Sequence, residues 1–507
     1  MISGFDRRVF HGHRRTLRSA RDLESYLALN RILKKQFGQQ VEKVSPPLKP
    51  ASWEEAQRPQ RPVLYWEDND DDKEDWARSI AAHDKIREGL IGGLTAVEVC
   101  WSFKVGGPRE SPKLKLKACT RKCLHLDPSW MDPEVGLMSA RIPSWFPFPL
   151  QVGLNGREGL ARPRDREGLQ YVRQDNGCVW RQDYARAPAL WDTPLRRNGA
   201  EWLNPVAPKL NPIHQQIFQG YRTGYDWSTY QSEGATDLVF GEAEFVRRHY
   251  RAGIEPSLAT FGRADVMRLL GRQIPLNGKI PRRFASSLRS DVQERPAGVR
   301  IKQSLHGNSV KAYDQACNVR RVETTLHRVE GLRVYRPKEG GTAEDLDGRP
   351  LRQGVADLHR RAEVSQKANE RYLHALATLD DSTRLEELGD DLSQRVCGHG
   401  KWFRGVRPWE PADSRLLAAI SRGEFSLNGL RNRDLRPLLF DLPASSPKQA
   451  RRQSARVSRL LRLLRAQGLV QKVPRTHRYQ VTAPGRRALT ANLAARHATI
   501  AQLAKVA

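Results

Sequence analysis

Residues 447–485 read PKQARRQSARVSRLLRLLRAQGLVQKVPRTHRYQVTAPG, and this stretch decides how the chain is read. At about 100° per residue, Val457, Leu460, Leu461 and Leu464 fall on one helical face. Arg451, Arg452, Arg456, Arg459 and Arg462 fall on the opposite one. Pro447 suits a first helical position, and Gly468 suits a helix stop. An apolar face needs neighbours to bury it, whereas guanidinium groups match phosphates and guanine edges. Residues 470–473 and 478–481 read as a hairpin tipped by Pro474-Arg475-Thr476-His477. A basic hairpin directly after an arginine-faced helix is the pattern of a wing. The nucleic-acid-binding residues expected from this pattern are Arg451, Arg452, Arg456, Arg459, Arg462, Arg475, His477 and Arg478.

Upstream, residues 414–422 form a predicted helix with Asp413 as its N-cap, Gly423 as its stop, and Leu416, Leu417 and Ile420 on one face. Leu427-Asn428-Gly429 reads as a turn and residues 430–440 as a second helix. Downstream, Thr482-Ala483-Pro484-Gly485 opens an Ala/Leu-rich helix to Ala507. The expectation is a C-terminal winged helix-turn-helix domain over residues 411–507.

Residues 460–485 resemble the helix, wing and closing strand of MarR-like winged-helix regulators. In those proteins Gly-Leu ends the recognition helix and Thr-x-x-Gly follows the wing; Gly468-Leu469 and Thr482-x-x-Gly485 stand in those places. The full chain resembles a family of long bacterial proteins, often multicopy and mobile-element-like. The resemblance lies in Ser3-Gly4-Phe5-Asp6-Arg7, Trp145-Phe146-Pro147-Phe148, residues 227–240, 308–314 with 321–325, and 357–372. It implies an architecture and brings no chemistry with it. The lysine that the family pattern carries after Tyr313-Asp314 is Gln315 here.

Charge agrees with a polyanionic partner. The chain of 507 residues has a net charge of +29 and a pI of about 10.3. From residue 401 to 507 there are 22 Lys and Arg against 5 Asp and Glu, a net of +17. Composition alone does not concentrate charge in this way. No run of about 18 apolar residues is present, so no membrane span is expected. The basic start lacks an apolar segment, so no secretory signal is expected. Six scattered cysteines fit reduced thiols and a cytoplasmic location.

The expected fold class is α+β, with mixed N-terminal and central domains and an antiparallel meander ahead of the winged helix. Residues 1–45 read as an N-terminal helical segment and 62–126 as a small α/β region, with a helix over 74–92 and strands over 97–105 and 113–126. Residues 127–350 read as a central α+β domain, in which 145–154 is an edge or bulged strand and 299–326 the meander. Residues 353–396 read as a helical linker.

Candidate chemistry is confined to acids and one phenol. Glu233 and Asp237, four apart, share a face if helical and could hold a divalent metal. Asp314 and Glu323 lie on neighbouring meander strands, with Tyr313 as a possible covalent nucleophile, as in strand-nicking replication initiators. The alternative is an Arg–Glu pair between strands, with Tyr313 packed on the sheet. His11-Gly12-His13 has a glycine at its centre and no apolar strand leading into it. Cys119, Cys123 and His125 with Cys397 and His399 are a zinc alternative. The acidic run over 67–75 reads as a solvated loop favouring the next helix N-terminus.

Three readings stand. The first is a DNA-binding protein of a mobile element. The second is a metal-dependent nuclease, strand-transfer or replication-initiator-like enzyme using Mg²⁺. The third is a non-catalytic RNA-binding protein.

Overall fold

The computed structural model describes residues 2–14, 17–67, 72–107, 114–133, 135–156, 171–174, 177–180, 198–217, 224–240, 263–272, 288–295, 298–315, 319–337, 346–379, 384–398, 400–422, 425, 429–474 and 476–497. The fold is α+β, and the chain divides into two compact units. One comprises residues 4–233 with 353–359. The other comprises 1–3, 234–352 and 360–507.

The first unit is built on strands β1 (Ile2–Arg14), β2 (Val63–Tyr65), β3 (Gly89–Gly106), β4 (Lys115–Asp132), β5 (Gly136–Pro143) and β6 (Leu150–Asn155). β7 (Tyr171–Gln174) and β8 (Gly177–Trp180) form a separate hairpin, and β9 (Tyr225–Val239) rejoins the main sheet. The order is β9-β1-β6-β5-β4-β3-β2. β2 joins β3 in parallel, with helix Lys73–His83 between them; Asp72 caps that helix by accepting from the Glu74 N–H. Helices Ala20–Leu29, Phe37–Val44 and Gly199–Leu210 supply Leu23, Tyr26, Phe37 and Leu203 to a core shared with Phe10, Leu150 and Val152.

Three expectations are corrected in this unit. Residues 2–14 form a strand instead of opening a helical segment. β1 is buried along much of both faces, charged Asp6, Arg8 and Arg14 included, which erases the alternation that marks a half-exposed strand. Gly12 is needed there, because a Cβ would stand 2.7 Å from the Trp227 ring. The helix expected over 74–92 ends at His83, and 89–92 already belong to β3. Residues 145–149 are not an edge strand: β6 begins only at Leu150 and is interior, between β1 and β5. Prolines 147 and 149 lack the N–H an interior strand needs, and the bend they make buries Phe146 and Phe148.

In the second unit, the far end of β9 neighbours β13 (Val319–Leu326), followed by β12 (Asn308–Gln315), β11 (Gly298–Leu305) and β10 (Arg289–Arg295). The meander stands as read, with β10 as a further antiparallel strand. Helices Arg263–Leu269 and Leu358–Leu379 pack Val266, Met267, Tyr372 and Leu376 on Val310, Ala312 and Val322. β14 (Arg333–Pro337) and β15 (Leu346–Pro350) make a hairpin.

The C-terminal elements share a core of their own. Helices Pro411–Ile420, Asn432–Leu439 and Pro447–Ala466 are followed by β18 (Val470–Lys472), β19 (Tyr479–Val481) and helix Ala483–His497. Helix Leu385–Ser393 and the hairpin of β16 (Val396–Gly398) and β17 (Lys401–Phe403) also pack on this core, through Leu392 and Phe403, with Val406 just beyond β17. The Val406 N–H donates to Leu392 O at 2.7 Å, and Gln467 Nε2 to Gln394 O and Arg404 O at 2.9 and 3.1 Å. The linker is therefore part of this cluster, and a boundary at 411 cuts through it. The first helix starts at Pro411, with Glu410 at the N-cap position, because proline presets the helical φ. Asp413, expected as the cap, sits inside the first turn, where its buried carboxylate takes Arg404 at 2.6 and 2.7 Å and the Arg407 N–H at 2.9 Å.

A fragment of residues 384–507 is expected to unfold cooperatively, and one of 411–507 to melt at a lower temperature. Deleting buried side chains the size of Leu392 and Val406 costs about 1–5 kcal/mol each. Equal melting temperatures for the two fragments would refute the boundary drawn here.

Candidate nucleic-acid interface

The helix Pro447–Ala466 is determined locally at both ends. Ser446 accepts from the Gln449 N–H at 3.3 Å, Pro447 follows, and Gly468 closes the helix at φ +70°. Val457, Leu461 and Leu464 are buried and Leu460 is half-buried. Arg451, Arg452, Arg456, Arg459 and Arg462 are all exposed and form no ion pair among the described residues. Arg456 lies 5.8 Å from the centre of the Phe440 ring. Leu463, which helical spacing places on the arginine side, is buried, so the open face narrows toward the C-terminal end. Arg465, not singled out in the sequence, is exposed as well.

The hairpin that follows is tied to the loop before the second helix. Leu430 and Tyr479 exchange backbone N–H···O bonds of 2.8 Å in both directions. Gly429 makes this possible at φ +75°, since a Cβ there would collide with Tyr479 O. At the tip, His477 is exposed, whereas Arg478 is half-buried with its guanidinium 5.5 Å from the Tyr335 ring. Arg478 is thus a packing residue rather than a free cation. Arg475 and turn residues 427 and 428 lie outside the described residues, as do Gly423 and His399.

The Thr482-x-x-Gly485 pattern has a local explanation. The Thr482 hydroxyl donates to Gly468 O at 2.5 Å and accepts the Gly485 N–H at 3.0 Å, capping the last helix against the end of the arginine helix. A Cβ at Gly485 would run into Leu469 O.

The nominated acids divide. Asp237, Glu323 and Tyr313 do converge, and the group at their centre is Arg321. Its Nη1 donates to both oxygens of Asp237 at 3.0 and 2.8 Å, and its Nε to Glu323 Oε1 at 2.8 Å. Glu323 Oε1 also accepts the Tyr313 hydroxyl at 2.6 Å, and Oε2 accepts Lys311 Nζ at 3.1 Å. Burial pushes the Glu323 carboxyl up, but the charges of Arg321 and Lys311 and the Tyr313 hydroxyl outweigh it and hold it well below the usual carboxylate range. A guanidinium thus fills the position a metal was expected to take. The Arg–Glu pair lies within β13 instead of across strands, with Lys311 as Glu323's cross-strand partner.

Asp314 does not join this group. Its register partner is Arg320, and alternation along β12 turns it to the side opposite Tyr313. Burial pushes its pKa up to about 7 despite Arg320 Nε at 3.5 Å. Glu233 and Asp237 are on a strand rather than a helix, and four extended residues span about 13 Å, beyond the reach of one ion. Glu233 accepts instead from Gln231 Nε2 at 2.9 Å. Among the described residues, no group of three or more His, Cys, Asp or Glu is placed to hold a metal. Cys119, Cys123 and His125 lie along β4, and Cys123 is buried beside Cys100.

The His11-Gly12-His13 run does stand on a strand, β1. His11 and His13 have ring centres 6.1 Å apart, and His11 stacks on the exposed Tyr230 at 4.3 Å. His11 Nε2 lies 3.2 Å from Gln151 Oε1. Burial lowers the pKa of both imidazoles, that of His13 to about 4 with help from His11 and Arg18. Both rings are neutral at pH 7.

No protein-family profile, characterised protein or solved structure matches the chain. Among the described residues no helix is long and apolar enough to cross a membrane.

Replacing Arg321 with Ala removes the guanidinium that two buried carboxylates share, and urea denaturation at pH 7 is expected to show a loss of about 3–5 kcal/mol. Glu323 is depressed in the folded state, so its contribution is present above the unfolded pKa and fades as pH falls. The difference between Arg321→Ala and the parent should accordingly shrink below about pH 4. A pH-independent change, or one under about 1 kcal/mol, contradicts the ion network as described.

Proposed function

We propose that the chain binds nucleic acid, with DNA as the preferred partner, through a C-terminal winged helix-turn-helix in which helix Pro447–Ala466 enters a groove. The observation that carries this reading is the exposed arginine face, without an ion pair among the described residues, of a helix whose opposite face is buried in a core shared with the two preceding helices. Guanidinium groups in that position contact phosphates or the O6 and N7 of guanine. The Leu430–Tyr479 pairing, which joins the β18–β19 hairpin to the loop before the second helix, supports a three-stranded wing. The MarR-like Gly468-Leu469 and Thr482-x-x-Gly485 support it further, because each has a hydrogen-bonding or close-approach role. The resemblance to mobile-element-like proteins points to the DNA of such an element as the target.

Arg452→Ala, Arg456→Ala and Arg459→Ala together should lower the slope of log affinity against log salt by up to about 2.7, for three lost phosphate contacts. The measurement is a duplex-binding titration from low to moderate salt. Parent and variant with the same affinity at every salt concentration would remove the helix from the interface.

A second reading is favoured by the His11–Tyr230 stack: metal-dependent cleavage of a DNA strand. His11, His13 and the Gln151 side-chain oxygen could hold a Mg²⁺ or Mn²⁺ ion, since both imidazoles are neutral and keep lone pairs for it. The ion would neutralise charge on the scissile phosphate. The Tyr230 Oη would attack phosphorus, forming a phosphotyrosine bond, and the 3′ oxygen would leave with a proton. Under this reading Tyr230→Phe abolishes nicking of supercoiled DNA and spares binding. Intact supercoiled and single-stranded DNA after incubation of the parent protein with either metal would end it.

A further inference from the structure

The β3–β4 hairpin carries a second concentration of unpaired positive charge. β2 pairs with β3 only at Gly93–Thr95, and β5 pairs with β4 only from His125 onward. Beyond those points β3 and β4 continue as a two-stranded ribbon to Gly106 and Lys115. Along residues 99–106 and 114–124 stand Lys104, Lys115, Lys117, Arg121 and Lys122, with no acid among them. Glu98, at the base, is taken by Arg141 at 2.6 Å.

The arrangement of the lysines is specific. Lys104 and Lys117 are register partners, and Lys115 lies two residues along the same face, opposite Gly106. All three are exposed. The opposite face carries Phe103 and Leu116, buried in the core with the helices of this unit, so the ribbon is held from behind. Two ammonium groups directly opposed in an antiparallel pair repel one another, and among the described residues no ion pair offsets this. Such a surface gains only when an anion of high charge density lies on it.

We propose that this ribbon is a second nucleic-acid-contacting surface, one that grips the phosphate backbone without reading sequence. The proposal rests on the nucleic-acid reading of the arginine helix. Two strand residues advance about 6.8 Å, close to the axial rise of two phosphates on one DNA strand at about 3.4 Å each. The chemistry also differs from that of the helix. Lysine is a flexible point charge suited to phosphate, whereas arginine is a planar fork suited to base edges.

The test uses the full chain and a duplex of arbitrary sequence, titrated with salt. Lys104→Ala, Lys115→Ala and Lys117→Ala together are expected to reduce the slope by about 2.7, and Lys117→Ala alone by about 0.9. A Lys→Arg triple should keep the parent slope, because the charge is retained. A parent slope in the Ala variants, alongside a flattened one in the arginine-helix variant, overturns this proposal alone. If the parent shows no salt-dependent DNA binding, the nucleic-acid reading falls and this proposal falls with it. Phosphatidylserine vesicles provide the competing arm. Vesicle binding that the lysine variant loses, with its DNA slope unchanged, assigns the ribbon to an anionic membrane surface and also overturns the proposal.

Discussion

A buried arginine, Arg321, sets the register of the second unit's sheet. Its guanidinium ties Asp237 on β9 to Glu323 on β13, while Tyr313 and Lys311 of β12 complete the carboxylate's hydrogen bonds. On the other face of the same strands, Asn369 bonds Thr324, Thr236 and the Gly234 carbonyl. The surroundings of the two centres therefore follow different codes, ionic around Arg321 and built on hydroxyls and an amide around Asn369. A slip of one residue in β13 would move the charges to the face packed by helix Leu358–Leu379 and leave both codes unmatched. Buried ion pairs add little net stability over apolar packing, yet breaking one is costly. That asymmetry penalises wrong pairings more than it rewards the right one.

Elements with one dominant period were legible in the sequence. The arginine helix was readable to within a residue because its 3.6-residue pattern, Pro447 and Gly468 agree with one another. The meander was readable because Val299, Ile301 and Leu305 alternate with polar partners around the His306-Gly307-Asn308 turn. β1 and β9 were not readable, for a common reason. Along much of β1 and over 234–237 of β9 residues on both faces are buried, and polar ones such as Arg8, Thr236 and Asp237 stand where alternation expects apolar groups. Helix Leu385–Ser393 was visible, but its membership in the C-terminal core was not. That depends on Leu392 meeting Val406, a contact no local pattern encodes.

The acids show the same limit at the level of chemistry. Spacing brought forward Asp237, Glu323 and Tyr313, and they do meet. What spacing could not show is that the cation among them is already part of the chain. Arg321 stands two residues before Glu323, and on a strand i and i+2 share a face, so an internal counterion was available from the start. Conversely, His11 and His13 do not read as strand neighbours in the sequence, because a glycine is unfavourable inside a strand. Gly12 is there because β1 passes so close to Trp227 that no side chain fits.

A chain with a net charge of +29 repels itself when compact. Where its cations are paired is therefore as telling as where they are not. Arg141 is held by Asp127 and Glu98, Arg404 by Asp413, and Arg321 by Asp237 and Glu323. In each case a scarce acid is committed to an arginine that orders the fold. Among the described residues, the helix face from Arg451 to Arg462 and the ribbon lysines receive no such partner. Acids are present near both, Asp441 beside the helix's approach and Glu98 at the ribbon's base, and each is engaged elsewhere, with Arg415 and Arg141. Unpaired charge kept on rigid, well-packed elements costs the folded state something, and an external polyanion would offset that cost. The cost supports the proposal that the two cationic surfaces are binding surfaces rather than by-products of a basic composition.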